Sequence, residues 1–541
     1  MTGKIRGISG PTVEVDLKGL KLYERVYVGH AMLTGEVVRL EENRAIVQVY
    51  ENTHGLGIGE PVKGAGMPLM VKLGAGIISG MFDGLQRPLE RLKDEMGPFI
   101  SIGTEMSALD YTRKWRFFPL REKGNEIAPG ESIGFIEEGA FKHFITGGNH
   151  SNKKLSRIVD GDISLDQPFG EFDDGEEIMG CFEWPVRVPR PYRRKFSSSV
   201  ALVTGQRSID FLFPIARGGT AILPGGFGTG KTVLEQSIAK FADVDIVVYV
   251  GCGERGNEMA EMIYEFQTLK DPWNGRQLME RTILVVNTSN MPVAAREASI
   301  YTAVTMAEYY RDMGYNVLFL ADSISRWAEA LREISSSLEE MPAEEGYPTY
   351  LASRLSGFIE RAGVVETMNG AVGSLSMILS VSPPGGDFTE PVTQACLRTS
   401  GVFLMLDTSL AHRRHFPAIN WFQSYSLYSK EAMAYYRDKV SPEWEKLHHR
   451  CREILQKEES LREIAEIVGI EGLQDADRLL MRTAEMVRSD FLSQNSYTED
   501  AFSSPEKTFA IIKGILDFHD HAAGKLKDGI PLEKALSMEK E

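Results

Sequence analysis

The chain has 541 residues, of which 43% are hydrophobic and 25% charged, and its formal net charge is −16. A chain of this length folds as several domains, and its composition is typical of globular proteins. The acidic excess argues against general binding to nucleic acid or to anionic membranes, because the negative electrostatic field of the chain repels phosphate groups. The scattered cysteines argue against a disulfide scaffold or a structural zinc site. They are Cys181, Cys252, Cys396 and Cys451.

The first 69 residues have the pattern of a small all-β domain. Residues 12–17 alternate apolar and polar side chains, as a half-buried strand does. Segments 36–40 and 45–50 flank the polar residues 41–44 and predict a hairpin. Several short strands joined by glycine-rich turns indicate a β-barrel.

Residues 70–186 are expected to form a mostly β insertion. A basic run punctuated by prolines follows at 185–195, with arginines at positions 187, 190, 193 and 194. Such a run is typical of a stiff, solvated linker. The alternative, an RNA-binding surface, lacks the clustered aromatic residues that stack on bases.

The pattern changes after about residue 200. Apolar runs rich in Val, Ile and Leu recur between helical stretches up to about residue 425. They predict a mainly parallel sheet with helices on both faces. From about residue 427, glycine and proline become sparse, and segments 460–468 and 474–491 have helical periodicity. The pattern therefore predicts a multidomain α/β protein with a helical C-terminal domain.

A phosphate-binding motif lies between a predicted strand, 221–223, and a predicted helix, 233–242. Residues 225–232 fit G-x-x-x-x-G-K-[ST] in full, and the flanking elements argue against a chance match. Glycines let backbone N–H groups turn towards phosphate oxygens, and the helix adds its positive N-terminal end. Lys231 would reach the β- and γ-phosphates, and Thr232 would bind Mg²⁺ directly. The predicted nucleotide-binding residues here are Gly225, Gly226, Phe227, Gly228, Thr229, Gly230, Lys231 and Thr232.

Two carboxylates follow apolar strands further along the chain. Asp322 ends the strand 317–322, where it would hold Mg²⁺ through water or, alternatively, cap the next helix with Ser323. Glu254 follows the strand 246–250, where it would orient the attacking water or, alternatively, be a solvated loop charge. No guanine-specific Asn-Lys-x-Asp loop is found in the nucleotide domain, so adenine is favoured.

At these residues the chain resembles the catalytic A subunits of the V-type and A-type rotary ATPases. The resemblance covers nearly the whole chain and is weakest at about 140–180 and at the C-terminus. The matching segments are 225–232, 251–259, 287–297, 321–330, 382–387 and 414–420.

The resemblance implies a domain order and a set of partners. Three such chains would alternate with three B subunits, which supply an arginine finger, around a central shaft and beside peripheral stalk subunits. The chain would lie at the cytoplasmic face of a membrane and reach the membrane sector through other subunits, without binding nucleic acid. The implied domains are a β-barrel (1–69), a connecting segment packed on the nucleotide domain (70–110), a β-rich bulge insertion (111–186), a RecA-like nucleotide-binding domain (187–426) and a helical domain (427–541).

The resemblance also implies roles for individual residues. Glu254 becomes the water-positioning carboxylate, and Arg255 and Arg326 line the phosphate site. Phe416 stacks on adenine, and the segment 494–497 forms a second wall, with Gln494 and Ser496 as nucleotide contacts. The expected catalytic residues are Lys231, Glu254, Arg255, Asp322 and Arg326, acting on ATP or ADP with Mg²⁺.

Two other functions are compatible with the same type of core. A nucleic-acid translocase is opposed by the acidic charge and by the lack of an aromatic and basic binding strip. A non-catalytic ring subunit is opposed by the complete phosphate-binding motif and by Glu254. The resemblance therefore favours ATP hydrolysis or synthesis coupled to proton or sodium transport.

Overall fold

The computed structural model describes residues 2–41, 44–97, 100–148 and 152–537, and it forms two compact units. The first unit contains Met1–Ser197, Val244–Pro383 and Asp387–Thr399. The second unit contains Ser198–Asp243, Pro384–Gly386 and Ser400–Glu541.

A closed six-stranded β-barrel begins the first unit, as the sequence predicts. Its strands are β1 (Thr2–Ser9), β2 (Thr12–Asp16), β3 (Glu24–Val28), β4 (Leu33–Leu40), β5 (Ala45–Val49) and β6 (Pro61–Pro68). The order around the barrel is β1–β2–β5–β4–β3–β6. Alternate valines such as Val13, Val15 and Val26 are 0% exposed and fill its interior. The predicted hairpin is β4–β5, and residues 42 and 43 of its turn lie outside the described residues.

Residues 70–186 are mostly β, as predicted. The elements are β7 (Met70–Gly74), β8 (Met81–Phe82), α1 (Leu89–Met96), β9 (Lys114–Pro119), β10 (Glu126–Ile127), β11 (Ser132–Glu138), β12 (Phe141–Thr146), β13 (Lys153–Ile158), β14 (Gly161–Ser164), β15 (Pro168–Phe172), β16 (Glu177–Met179) and β17 (Cys181–Pro185). Two four-stranded sheets, β12–β11–β9–β14 and β10–β13–β15–β16, make up the insertion. The rings of Phe117 and Phe169, one from each sheet, pack edge to face at 5.0 Å. Strand β17 then returns to pair with β7.

Strands and helices alternate in the next part of the chain. They are β18 (Arg194–Phe196), β19 (Ala201–Leu202), β20 (Ile215–Ala216), β21 (Thr220–Pro224), α2 (Lys231–Phe241), β22 (Ile246–Glu254), α3 (Gly256–Thr268), β23 (Thr282–Thr288), α4 (Val293–Arg311), β24 (Asn316–Asp322), α5 (Ile324–Ser337), α6 (Leu351–Ile359), β25 (Gly363–Glu366), β26 (Val372–Val381), α7 (Pro391–Thr399), β27 (Val402–Phe403), α8 (Thr408–His412) and β28 (Tyr425–Ser426).

A parallel sheet forms the core of the first unit. Its order is β26–β24–β22–β23–β8, and every neighbouring pair is parallel. Nearly every residue of α4 is buried, which is expected of a helix packed on a sheet and covered on its other sides. Because β8 precedes the insertion in sequence, the connecting segment supplies the edge strand of this sheet. The carboxyl ends of β22 and β24 therefore lie side by side.

The second unit combines a small sheet with the C-terminal helices. Strand β21 is parallel to β27, and β28 is antiparallel to β27. Trp444 lies at the helical core, with its ring stacked on Tyr436 at 4.4 Å and near Phe211 at 5.3 Å. The remaining helices are α9 (Ser429–Lys439), α10 (Trp444–Val468), α11 (Asp475–Met486), α12 (Pro505–Lys527) and α13 (Leu532–Ser537).

The interpretation of the basic run as a solvated linker is wrong for its first half. Arg187 binds the carboxylates of Glu36 on β4 at 2.8 Å and Glu297 on α4 at 2.7 Å, and both carboxylates are 1% exposed. Arg190 pairs with Asp312 at 2.6 Å. Buried carboxylates need a partner, and the nearest cations come from this run. The run therefore joins the barrel to helix α4, which packs on the parallel sheet.

We expect Arg187→Met to lower the free energy of unfolding by about 3 kcal/mol, because it removes a cation from two buried carboxylates. Chemical denaturation of the purified chain measures the loss. Arg193→Met is the matched control, since Arg193 is 46% exposed and 4.0 Å from Glu366, and it should cost less than about 0.5 kcal/mol. Equal losses in the two variants would contradict the buried role of Arg187.

Candidate functional site

The predicted site residues fall in both units, and each group is described within its own unit. In the second unit, residues 225–230 connect β21 to α2. Gly228 and Gly230 have φ angles of 77° and 84°, in the left-handed region that favours glycine. The hydroxyl of Thr229, a residue only 1% exposed, donates to the carbonyl of Gly226 at 2.9 Å. The loop is thus held as a tight turn in front of the helix.

The loop and the start of helix α2 have features that favour the binding of an anion. Helix α2 begins at Lys231, and Gly230 at its N-cap has no side chain to satisfy the first N–H groups. Those N–H groups and the positive end of the helix favour phosphate. The Lys231 ammonium donates to the carbonyls of Gly225 at 2.7 Å and Gly226 at 2.9 Å. The ammonium therefore lies over the loop. A bound phosphate would replace the two carbonyls as the acceptor of its hydrogen bonds.

Phe416 lies beside this loop. Its ring carbons are 3.5 Å from the position that a Cβ atom on Gly230 would occupy, and the residue is 39% exposed. An exposed aromatic face next to a phosphate loop is suited to stacking on a base. Gln494 also lies close, since its backbone N–H donates to the Phe416 carbonyl at 2.6 Å. Its side chain is only 1% exposed, whereas Ser496 is partly exposed in the same loop.

In the first unit, Asp322 and Glu254 end the neighbouring strands β24 and β22. The register pairs Asp322 with Gly251, three residues before Glu254. Asp322 is 2% exposed, and its carboxylate accepts from the Ser380 hydroxyl at 2.7 Å and the Tyr249 hydroxyl at 3.5 Å. Ser323, and not Asp322, occupies the N-cap position of the following helix α5. Two carboxylates therefore meet at one edge of the parallel sheet.

Glu254 is held in an environment that disfavours its charged form. Burial raises the pKa of Glu254 to about 7, the negative charge of Asp322 adds to the rise, and Arg326 opposes it. A β-bulge lies between Cys252 and Glu254, at Gly253. A Cβ atom on Gly253 would lie 2.8 Å from the Arg326 Cβ atom, so only glycine allows this close approach. A carboxyl group that titrates near neutral pH is suited to accepting a proton from water.

The two predicted arginines have different surroundings. The Arg326 guanidinium donates to both carboxylate oxygens of Glu329, at 2.8 and 2.9 Å, and this hydrogen bonding raises the pKa of Arg326. The Arg255 side chain is 63% exposed and lies 3.8 Å from Glu258. Arg326 is thus partly neutralised within the chain, and Arg255 extends towards solvent.

Some contacts around the site were missed by sequence reasoning. Ser380 and Tyr249 hold the Asp322 carboxylate, and the only sequence signal for the first is that Ser380 is one of two serines in the largely apolar segment 375–381. Arg207 in the second unit bonds to the loop that contains Gln494, and no sequence pattern indicates that pairing. Within the described ranges, no three His, Cys, Asp or Glu side chains group as metal ligands would. Among the described residues, no helix has both the length and the apolarity to cross a bilayer.

Family models of the ATP synthases match this chain in four consecutive segments. The nucleotide-binding domain of the ATP synthase alpha/beta family matches residues 205–426, and the β-barrel domain of that family matches 5–66. The barrel-sandwich domain of the alpha/beta subunits matches 106–187, and the C-terminal domain of V and A type ATP synthase matches 433–536.

Full-length relatives have the same family assignment. The A subunit of the A-type ATP synthase from Methanopyrus kandleri is 50% identical, with 99% of this chain and 92% of the relative covered. The subunits of the same name from Halobacterium salinarum and Thermococcus onnurineus are 49% and 48% identical, over 99% and 98% of this chain and 92% and 93% of the relatives.

A solved structure has a similar fold. The ATPase EscN of the enteropathogenic E. coli type III secretion system superposes with a TM-score of 0.68 at 21% identity, covering 95% of this chain and 100% of EscN. From the four domain matches and the full-length identity, we conclude that the chain belongs to the family of A subunits of the A-type and V-type ATP synthases.

Proposed function

We propose that the chain is the catalytic subunit of an A/V-type rotary ATP synthase and that it hydrolyses or synthesises ATP, coupled to proton or sodium transport. The main support is the phosphate loop, residues 225–232. In it Lys231, the first residue of α2, donates hydrogen bonds to the carbonyls of Gly225 and Gly226. The backbone N–H groups of this loop would bind the phosphates, and the Lys231 ammonium would contact their β- and γ-oxygens.

Mg²⁺ fits the oxygen donors that the chain offers. The Thr232 hydroxyl at the start of α2 would bind the ion directly, and the Asp322 carboxylate would hold it through water. Asp322 is buried and already oriented by Ser380 and Tyr249, so it does not have to be ordered on binding. When bound, the ion would offset charge on the phosphate oxygens.

Glu254 is proposed to position the attacking water and to receive its proton. A pKa of about 7 suits proton transfer at neutral pH, because the group is both available as a base and able to hold the proton. Arg255 and Arg326 are proposed to offset charge on the transferred phosphate. Phe416, Gln494 and Ser496 are proposed to form the adenine site, to which Gln494 would contribute through the hydrogen bond of its backbone N–H to Phe416.

We further propose an assembly in which three chains alternate with three B subunits around a central shaft, beside peripheral stalks. Each B subunit would supply an arginine finger. The chain would sit at the cytoplasmic face of a membrane, attached through other subunits and without binding nucleic acid. The domain limits expected from the sequence, 1–69, 70–110, 111–186, 187–426 and 427–541, remain part of this proposal.

We expect Lys231→Ala to weaken Mg-ATP binding about 10–100-fold, because a charge-assisted hydrogen bond contributes roughly 1.5–3 kcal/mol. Calorimetric titration of the purified chain measures the effect. Lys240→Ala, in the last turn of the same helix, is the control and should bind as the parent does. Unchanged binding in Lys231→Ala would overturn the assignment of the phosphate loop.

A further inference from the structure

A buried arginine joins two distant segments of the second unit. Arg207 is 1% exposed and precedes the short π-helical turn Ser208–Leu212. Its guanidinium donates to the carbonyls of Phe491 at 2.7 Å and Ser493 at 2.6 Å. It also binds both carboxylate oxygens of Asp500, at 2.5 and 2.7 Å. One side chain thus fixes both ends of the loop 493–500.

Gln494 lies inside this loop, and both the oxygen and the nitrogen of its side-chain amide bond to backbone. Its oxygen accepts from the N–H of Arg207 at 2.8 Å. Its amide nitrogen donates to the carbonyls of Gly205 at 2.8 Å and Ala501 at 3.2 Å. Both polar atoms of this amide therefore bond to backbone, and the residue is only 1% exposed.

The contact that reaches the nucleotide site is made by the backbone of Gln494. Its N–H donates to the carbonyl of Phe416 at 2.6 Å. The Phe416 ring in turn lies 3.5 Å from the Cβ position of Gly230 in the phosphate loop. A continuous set of contacts therefore runs from Arg207 through Gln494 to the ring that faces the phosphate loop.

We propose that Arg207 and Gln494 are positioning residues that hold the Phe416 ring in line with the phosphate loop and so set the affinity for the adenine base without touching it. This inference rests on the proposed nucleotide-binding function. Stacking of a base on an aromatic ring strengthens binding roughly 5–150-fold, and this gain is lost when the ring is displaced from its stacking position. The proposed phosphate contacts come from residues 225–232, so we expect them not to depend on this network.

The test compares a ligand that has a base with one that lacks it. Binding of Mg-ATP and of Mg-tripolyphosphate to the purified full chain is measured by calorimetry. In Gln494→Ala and Arg207→Lys, we expect ATP affinity to fall about tenfold, with tripolyphosphate affinity unchanged within about twofold. A purely structural role would weaken both ligands together, and that result would overturn the proposal.

A milder variant covers the case in which these buried substitutions prevent folding. Asp500→Asn keeps the shape of the partner of Arg207 and removes its charge, and the Asp500 side chain is 38% exposed. We expect it to lower ATP affinity about threefold to tenfold and to leave tripolyphosphate binding unchanged. Asp520→Asn is the matched control, because Asp520 also binds one arginine, Arg450, through both oxygens, at 2.9 and 2.5 Å. An equal loss in the control would contradict a specific role for Asp500.

A double-mutant cycle decides whether the effect passes through Phe416. On a Phe416→Ala background, Gln494→Ala should cause no further loss of ATP affinity, because the ring it positions is absent. Additive losses would overturn the proposal and leave the adenine site in place. If the parent chain binds tripolyphosphate and ATP equally well, or binds neither, the proposed adenine or phosphate site is wrong, and the positioning role falls with it.

Discussion

The purified chain alone is expected to bind Mg-ATP but to hydrolyse it slowly, and addition of the B subunit is expected to raise turnover by about 10³–10⁵-fold. Phosphoryl transfer spreads negative charge over the γ-phosphate in its transition state, and an arginine from the partner would offset that charge. Within this chain, the Arg326 guanidinium is already paired with Glu329, so its charge is partly neutralised. The catalytic constellation should therefore be incomplete without the partner.

Steady-state hydrolysis at saturating Mg-ATP, with and without the B subunit, measures this effect. The chain must be verified as monomeric at the concentration used. Nucleotide affinity should change little on assembly, because the finger acts mainly on the transition state. A complex assembled with the Lys231→Ala chain is the control for contaminating activity. Full activity of the monomer would show that the chain supplies all the catalytic charge itself.

Glu254→Gln is expected to keep Mg-ATP binding and to slow hydrolysis by roughly 10²–10⁴-fold in the assembled complex. Glutamine has nearly the same size and still forms hydrogen bonds, but it cannot accept the proton of the attacking water. In the parent, hydrolysis should decline as the pH falls below about 7, where Glu254 becomes protonated. Glu261→Gln, at an exposed position of α3, should behave as the parent. Parallel loss of binding and hydrolysis would make Glu254 a binding residue.

The same substitution has a second readout in the chain without nucleotide. The pKa of Glu254 is raised from 4.5 to about 7, so between these values the folded state holds a proton that the unfolded state has lost. The free energy of unfolding therefore falls as the pH rises from 4.5 to about 7, and it stays lowered at higher pH. Glu254→Gln should raise the melting temperature at pH 8 and leave it unchanged at pH 4. A gain of the same size at both pH values would contradict the raised pKa.

The glycine-rich turn at 225–230 and its flanking elements were predictable because their signals are local. Glycines at positions 228 and 230 are needed by the backbone of the turn itself, and the apolar strand and the helix on either side are set by neighbouring residues. The β-barrel and the parallel sheet were predictable for a similar reason. Alternating apolar and polar residues indicate a strand buried on one face, and continuous apolar runs indicate a strand buried on both faces. The domain limits and the roles of the site residues stay predictions.

The first half of the basic run at 185–195 was misinterpreted because composition does not show which groups surround a charge in the folded chain. Arg187 looks solvated in sequence, but the fold brings to it two carboxylates from positions 36 and 297. Gln494 is similar. Resemblance places it at the adenine site, and only the packed loop shows its amide bound to the backbone of Gly205, Arg207 and Ala501.

The sequence by itself therefore determined the class of each domain, the glycine-rich turn at 225–230 and the family. Each of these depends on residues that are neighbours in the chain or on periodicities of two to four residues. Tertiary structure alone decided the raised pKa of Glu254, the partners of Arg187 and the network from Arg207 to Phe416. Those properties depend on burial and on charges or hydrogen-bonding groups far apart in the chain, and only folding brings such groups within a few ångströms of each other.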